Sequence, residues 1–186
     1  MKDKPDFTWK NWWYYNKWFV ILGIAAVISA AVVIVGNIKK VKPDYQIAYI
    51  GEYPLSDKTV SSVESALASA GKDLNGDGKV VFKLNQYPTV KNADPEIAMG
   101  QVGWETLLMA DMLDCESYFF LLEDADEFNM NYDILDEDIV PVSSVGLLAD
   151  IENIKDMQLS RRTFGEKTVK NKDGCDEFWL SVLKEN

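Results

Sequence analysis

The segment from Asp73 to Lys79 has the residue types of a calcium-binding loop. Oxygen-bearing side chains stand at alternate positions, Asp73, Asn75 and Asp77, and Gly78 follows where such loops turn sharply. Calcium prefers this pattern because carboxylate, amide and backbone carbonyl oxygens can then surround one ion. We predict a Ca²⁺ site formed by Asp73, Asn75, Asp77 and the Lys79 carbonyl.

The twelfth position of this loop departs from the calcium-binding pattern. It should carry an acidic side chain that binds with both oxygens, and it is Leu84. A metal-free Asn-Gly-Asp-Gly turn between a helix and a strand is therefore an open alternative. If the ion binds, we expect weak affinity, with a remote acid or water in place of the missing ligand.

Histidine is absent, and Cys115 and Cys175 are the two cysteines of the chain. The absence of histidine excludes Ser-His-Asp and Cys-His nucleophiles and all histidine-ligated metals. The two cysteines form no metal-binding or redox motif. A disulfide between them and a pair of free buried thiols are both compatible with the sequence.

Acidic residues are dense between positions 123 and 138: Glu123, Asp124, Asp126, Glu127, Asp133, Asp136, Glu137 and Asp138. Two of these carboxylates at a suitable distance would permit glycoside hydrolysis, but their spacing selects no pair, and a solvated charged loop is the favoured interpretation. The two arginines, Arg161 and Arg162, either clamp an anionic ligand or balance these acids.

The distribution of charge divides the chain in two. The net charge is −11, yet residues 1–42 carry seven Lys against two Asp, whereas residues 43–186 carry twelve Lys or Arg against 28 Asp or Glu. The second part therefore lacks the cation excess that binding to phosphates requires. We predict no nucleic-acid partner.

Residues 18–36 read WFVILGIAAVISAAVVIVG and predict a transmembrane helix that contacts the lipid bilayer. Such a helix is about 28 Å long, which matches the hydrocarbon core of a membrane. Aromatic and basic residues in 1–17 suit the membrane interface, and 37–43 is a linker. Val35-Gly36-Asn37 is a poor cleavage site, so we expect an uncleaved signal anchor.

Lysines flank this span at both ends, so the positive-inside rule leaves its orientation open. We expect a single-pass protein of the cell membrane whose acidic domain is extracellular. A weak calcium loop would fill outside the cell and stay empty in the cytosol, which favours this orientation.

Residues 44–186 alternate between strand and helix patterns. Apolar runs predict strands over Tyr45–Ile50, Val80–Leu84 and Ser117–Leu122. Ser56 and Asp94 are predicted N-caps of the two intervening helices. This order predicts one three-layer α/β domain with a mixed, mainly parallel sheet.

The remaining residues are less regular. We predict a loop over 123–138, in which one helical turn is an open alternative. We also predict a strand over Val145–Leu148 and a hairpin that joins Leu159–Phe164 to Lys167–Lys170. A closing helix contains the apolar residues Phe178, Trp179, Val182 and Leu183.

Two stretches carry a resemblance to known proteins. Residues 98–124, AMGQVGWETLLMADMLDCESYFFLLED, resemble solute-binding proteins of the periplasmic-binding-protein type, in which a helix leads into an apolar strand. Residues 49–87 resemble small membrane-anchored proteins of Gram-positive bacteria without an assigned function. Two-lobed receptors close on a ligand between α/β lobes, whereas this chain has length for one lobe.

Together these features predict a non-catalytic, membrane-anchored, extracytoplasmic binding or interaction module with one solute-binding-like lobe. Its partner would be a protein at the membrane or a small ligand. An accessory or structural subunit of a membrane protein assembly is the alternative, and a carboxylate-based glycosidase is the third hypothesis. Apart from the calcium ion, we predict no cofactor.

Overall fold

The computed structural model describes residues 9–38, 42–89, 95–163 and 172–184. The chain divides into two compact units, residues 1–41 and Lys42–Asn186. The predicted linker, 37–43, contains this division, and part of it lies outside the described residues.

Within these ranges, five α-helices and five strands follow in chain order. They are α1 (Trp9–Ile38), β1 (Tyr45–Ile50), α2 (Asp57–Ala70), β2 (Phe82–Gln86), α3 (Pro95–Asp114), β3 (Phe119–Leu122), α4 (Ala125–Tyr132), β4 (Val140–Pro141), β5 (Gln158–Arg161) and α5 (Lys172–Lys184). Two short 3-10 helices, Val142–Ser144 and Glu152–Ile154, lie between β4 and β5.

Helix α1 contains a segment, Trp12–Ala31, that is long and apolar enough to cross a membrane. Ser29 is a polar residue of this segment, and its hydroxyl donates to the Ala25 carbonyl at 2.8 Å. This bond inside the helix satisfies the hydroxyl, as a lipid environment requires.

The second unit is built on one mixed sheet with the strand order β2-β1-β3-β5-β4. Strand β1 lies between β2 and β3 and is parallel to both, whereas β5 is antiparallel to β3 and β4. The predicted mixed α/β sheet is confirmed. The expected excess of parallel pairs is not seen, because the described ladders comprise two parallel and two antiparallel pairs.

Each face of the sheet carries a hydrophobic cluster, because side chains along a strand alternate between the faces. In β1, Ile47 and Tyr49 belong to one cluster and Ala48 and Ile50 to the other. Helices α2 and α5 contribute to the first cluster, and α3 and α4 contribute to the second. Strand β3 is buried along its whole length, which accounts for its nearly continuous apolar sequence.

The clearest sequence signals are confirmed. Strand β1 has the predicted bounds, β3 lies inside the predicted strand, and the Ser56 side chain accepts the Thr59 N–H at the start of α2. Helix α3 begins at Pro95, directly after Asp94, which lies outside the described residues. Strand β2 begins two residues later than predicted, at Phe82.

Two predictions for the second half of the domain are corrected, and a third, the hairpin, stays a prediction. Residues 145–148 form turns rather than a strand, because the buried Val145 and Leu148 are three positions apart and joined by a backbone hydrogen bond of 2.8 Å. The acidic segment contains α4, which Asp124 caps by accepting the Glu127 N–H. Strand β5 pairs with β3 and β4; the predicted partner, Lys167–Lys170, lies outside the described residues.

Candidate functional site

The predicted calcium loop, Asp73–Lys79, lies between α2 and β2. Gly76 and Gly78 have φ angles of 75° and 83°, which glycine adopts without strain. The Asp73 carboxylate closes the loop, because Oδ1 accepts the Gly76 N–H at 2.7 Å and Oδ2 accepts the Gly78 N–H at 2.8 Å. The Gly78 N–H is the main reason that the pKa of Asp73 is below its usual value.

The other two predicted side chains make local turns in the same loop. Asn75 Oδ1 accepts the Asp77 N–H at 3.0 Å, and Asp77 Oδ1 accepts the Lys79 N–H at 3.0 Å. These hydrogen bonds join the loop's own side chains to its backbone and hold it in a tight conformation. The structure thus brings Asp73, Asn75, Asp77 and Lys79 into one loop, and calcium binding there stays a prediction.

A buried aspartate that accepts hydrogen bonds from this loop was not predicted from the sequence. Asp44 is 5% exposed, and its Oδ1 accepts the N–H groups of Leu74 and Asn75 at 2.8 and 3.0 Å. Its Oδ2 accepts the Val81 N–H at 2.8 Å. One carboxylate therefore fixes both ends of the loop to the start of β1. An acidic residue directly before an apolar strand could have indicated this role, because a buried carboxylate needs several hydrogen-bond donors.

A groove of about 490 Å³ lies between β2 and α3. Its lining residues are Lys83, Leu84, Asn85, Gln86, Tyr87, Leu107, Ala110, Asp111, Asp114 and Glu116. Most of these side chains are polar, and the apolar ones are Leu84, Leu107 and Ala110. The groove is open to solvent along the edge of the sheet.

The base of the groove is held by a buried polar network around Asp111. This aspartate is 3% exposed and accepts three hydrogen bonds, from the Ser117 N–H at 2.8 Å, the Ser117 hydroxyl at 2.7 Å and the Tyr87 hydroxyl at 2.6 Å. Burial and the bond to Asp111 raise the pKa of Tyr87 above its usual range. The network ties the ends of β2 and α3 to the start of β3 and makes the groove rigid.

The described part of helix α3 carries four large apolar side chains that are exposed. The exposed fractions are 64% for Val102, 58% for Leu107, 50% for Met109 and 69% for Leu113. Leu107 lines the groove, whereas the helical spacing places the other three on a different face of α3.

Residues of the acidic segment, 123–138, form hydrogen bonds and ion pairs with other parts of the fold. At the carboxyl ends of β1 and β3, Glu123 Oε2 accepts the Glu52 N–H at 2.7 Å. The Tyr49 hydroxyl lies 3.2 Å from Glu123 Oε1 and donates to the Tyr53 carbonyl at 2.7 Å. A Cβ at Gly51 would collide with both the Tyr49 hydroxyl and Glu123 Oε1, so this corner is closely packed.

The arginine pair is engaged by the fold. Arg161, whose side chain is 20% exposed, lies 3.1 Å from Asp136, 3.3 Å from Asp176 and 3.7 Å from Asp138. The Arg162 guanidinium donates to the Met112 carbonyl at 2.6 Å. For Arg161 the structure therefore favours charge balance over a clamp for an anionic ligand, whereas Arg162 is held by a backbone carbonyl.

Both cysteines are buried free thiols. Burial raises the pKa of the Cys175 thiol to about 12, so it is protonated at neutral pH. This environment is typical of a structural cysteine and opposite to that of a reactive one.

Comparison of the chain with known protein families, with characterised proteins and with solved structures gave no match.

Proposed function

We propose that the protein is a membrane-anchored, extracytoplasmic interaction module that binds a partner at the β2–α3 groove. The observation that carries this proposal is the groove itself, in which Leu107, 58% exposed, lies on α3 opposite the edge strand β2. Helices on both faces of the sheet, in a three-layer arrangement, would hold this surface in place.

The anchor in this proposal is helix α1. An apolar helix near the N-terminus is typical of both signal sequences and membrane anchors. We favour an anchor because the end of the apolar run has no small-x-small cleavage pattern. Placing the domain outside the cell also makes the calcium loop useful, since a weak site would be filled there.

The binding role accords with the chemistry of the described residues. Asp136 and Asp138 pair with Arg161, and Asp124 caps α4. These acids contact other parts of the fold, so they are not arranged to face a substrate. A single α/β lobe, as the resemblance to solute-binding proteins implies, would present one surface to its partner rather than enclose a ligand.

Site-specific photocrosslinking in living cells tests the proposal. A photoreactive amino acid replaces one exposed residue at a time in the full chain, at Leu107 in the groove, at Met130 on α4 and at Leu180 on α5. We expect one repeated crosslinked product from position 107. If position 107 gives no product, or if products come from positions 130 or 180 alone, the groove is not the surface that binds the partner and the proposal is wrong.

The same experiment separates the accessory-subunit alternative. A photoreactive residue at Phe19 or Val27 lies in the segment of α1 that can cross a membrane. Crosslinks from these positions, with none from the domain, would show that the span makes the contact and would support the alternative.

A further inference from the structure

The outer edge of β2 offers backbone hydrogen-bonding groups to a further strand. Among the described strands, β2 pairs with β1 alone. The Val81 carbonyl accepts the Tyr45 N–H at 3.2 Å, and the Tyr87 N–H donates to the Tyr49 carbonyl at 2.9 Å. Because backbone groups alternate along a parallel strand, odd-numbered residues of this segment face β1 and even-numbered ones face outward.

One outward donor is already engaged by a side chain from another element. The Leu84 N–H donates to Glu64 Oε1 of α2 at 2.9 Å. A carboxylate oxygen here takes the position that the carbonyl of an added strand would take. Such side-chain capping is one way in which proteins protect an exposed strand edge from uncontrolled pairing.

The helix side of the groove supplies apolar contact. Leu107 and Ala110 line it and lie one turn apart on α3, and Leu107 is 58% exposed. An edge strand that faces an apolar helix across a groove is the arrangement in which an extended peptide adds to a sheet, with backbone bonds on one side and side-chain pockets on the other.

The charges around the groove indicate which peptides would bind. Asp114 and Glu116 line it together with one lysine, Lys83, while Asp111 is buried in its own network. The surrounding residues 43–186 carry twelve basic against 28 acidic side chains. Complementarity therefore favours a cationic segment and disfavours an anionic one.

We propose that the groove binds an extended, cationic segment of a partner protein, which adds as a strand to β2. Its apolar side chains would pack against Leu107 and Ala110, and its Lys or Arg side chains would lie near Glu116. One of its carbonyls would replace Glu64 at the Leu84 N–H. This inference rests on the proposed function and specifies the partner chemistry of the same surface.

The test measures fluorescence anisotropy of a labelled octapeptide that alternates valine with lysine, added to the full chain in detergent micelles. We expect saturable binding, weakened about tenfold when glutamate replaces lysine or when N-methyl groups block the backbone donors on one side of the peptide. Leu107→Ser should weaken it about fivefold, because an apolar contact is lost. Leu180→Ser on α5, a matched exposed leucine at 52%, should leave it unchanged.

Four results would overturn the inference. They are no saturable binding below about 1 mM, equal binding of the glutamate peptide, equal binding with the donors blocked on either side, and no effect of Leu107→Ser. If Leu107→Ser instead changes the sedimentation of the protein itself, a second copy is the occupant and the inference is also wrong. Failure here together with a crosslinked product from position 107 would leave the proposed function standing, since a partner would then bind the groove in another form.

Discussion

The Asp44→Ala variant tests whether this side chain fixes the loop Asp73–Lys79 to the start of β1. In the native domain, the Asp44 carboxylate accepts three backbone N–H groups at 2.8 to 3.0 Å and is 5% exposed. A hydrogen bond to a charged group contributes about 1.5–3 kcal/mol. Water can replace the carboxylate at the exposed Asn75, so we expect a loss of roughly 3–5 kcal/mol rather than the full sum for three bonds.

This loss corresponds to a melting temperature lower by roughly 10–20 °C for a domain of this size. The measurement is thermal unfolding of the full chain in detergent micelles, followed by near-ultraviolet circular dichroism of the buried aromatic rings. Asp150→Ala removes an exposed aspartate and is the matched control, with a change of at most about 0.5 kcal/mol expected. If Asp44→Ala and Asp150→Ala melt within about 2 °C of each other, Asp44 does not fix the loop and the reasoning is refuted.

Three further predictions concern calcium, the core and pH. Calcium at ten times its Kd should raise the melting temperature by about 5 °C, and Asp77→Ala should abolish this shift; equal midpoints with calcium and with chelator would leave a metal-free turn. Phe119→Asp places an unpaired carboxylate at a residue that is 1% exposed, so we expect an unfolded domain; a soluble variant with a cooperative melt would contradict the central position of β3. Burial is the main cause that raises the pKa values of three phenols above their usual range, those of Tyr49, Tyr87 and Tyr118. Because the unfolded phenols lose their protons first, the stability that these three phenols contribute should be constant below about pH 10 and fall above it; full phenolate absorbance from all eight tyrosines of the chain before unfolding would exclude this assignment.

Local signals in the sequence accounted for most of the sheet and its helices. Strand β1 and the start of α2 followed from an apolar β-branched and aromatic run and from an N-cap serine, both of which act over a few residues. The loop Asp73–Lys79 also depends on signals that act over a few residues, because its glycines and short oxygen-bearing side chains hold a tight turn.

Features that depend on distant residues were missed. The partners of Asp44 are 30 to 37 positions away. Asp111 accepts hydrogen bonds from Ser117, six positions away, and from Tyr87, 24 positions away. No short sequence pattern encodes these partners. Strand β4 was missed and strand β5 was misplaced, because strands of two and four residues carry little periodicity. The groove depends on β2 lying at the sheet edge, which is a property of strand order.

The central claim, that α1 anchors an outward-facing domain, is tested most directly by thiol labelling in intact cells. Ser143→Cys adds an exposed thiol to the domain, whereas the native Cys115 and Cys175 are buried and serve as the unlabelled background. Lys2→Cys marks the other side of the span. With a membrane-impermeant maleimide, we expect label on Ser143→Cys before lysis and on Lys2→Cys only after lysis. The opposite pattern would place the domain inside the cell and contradict the claim.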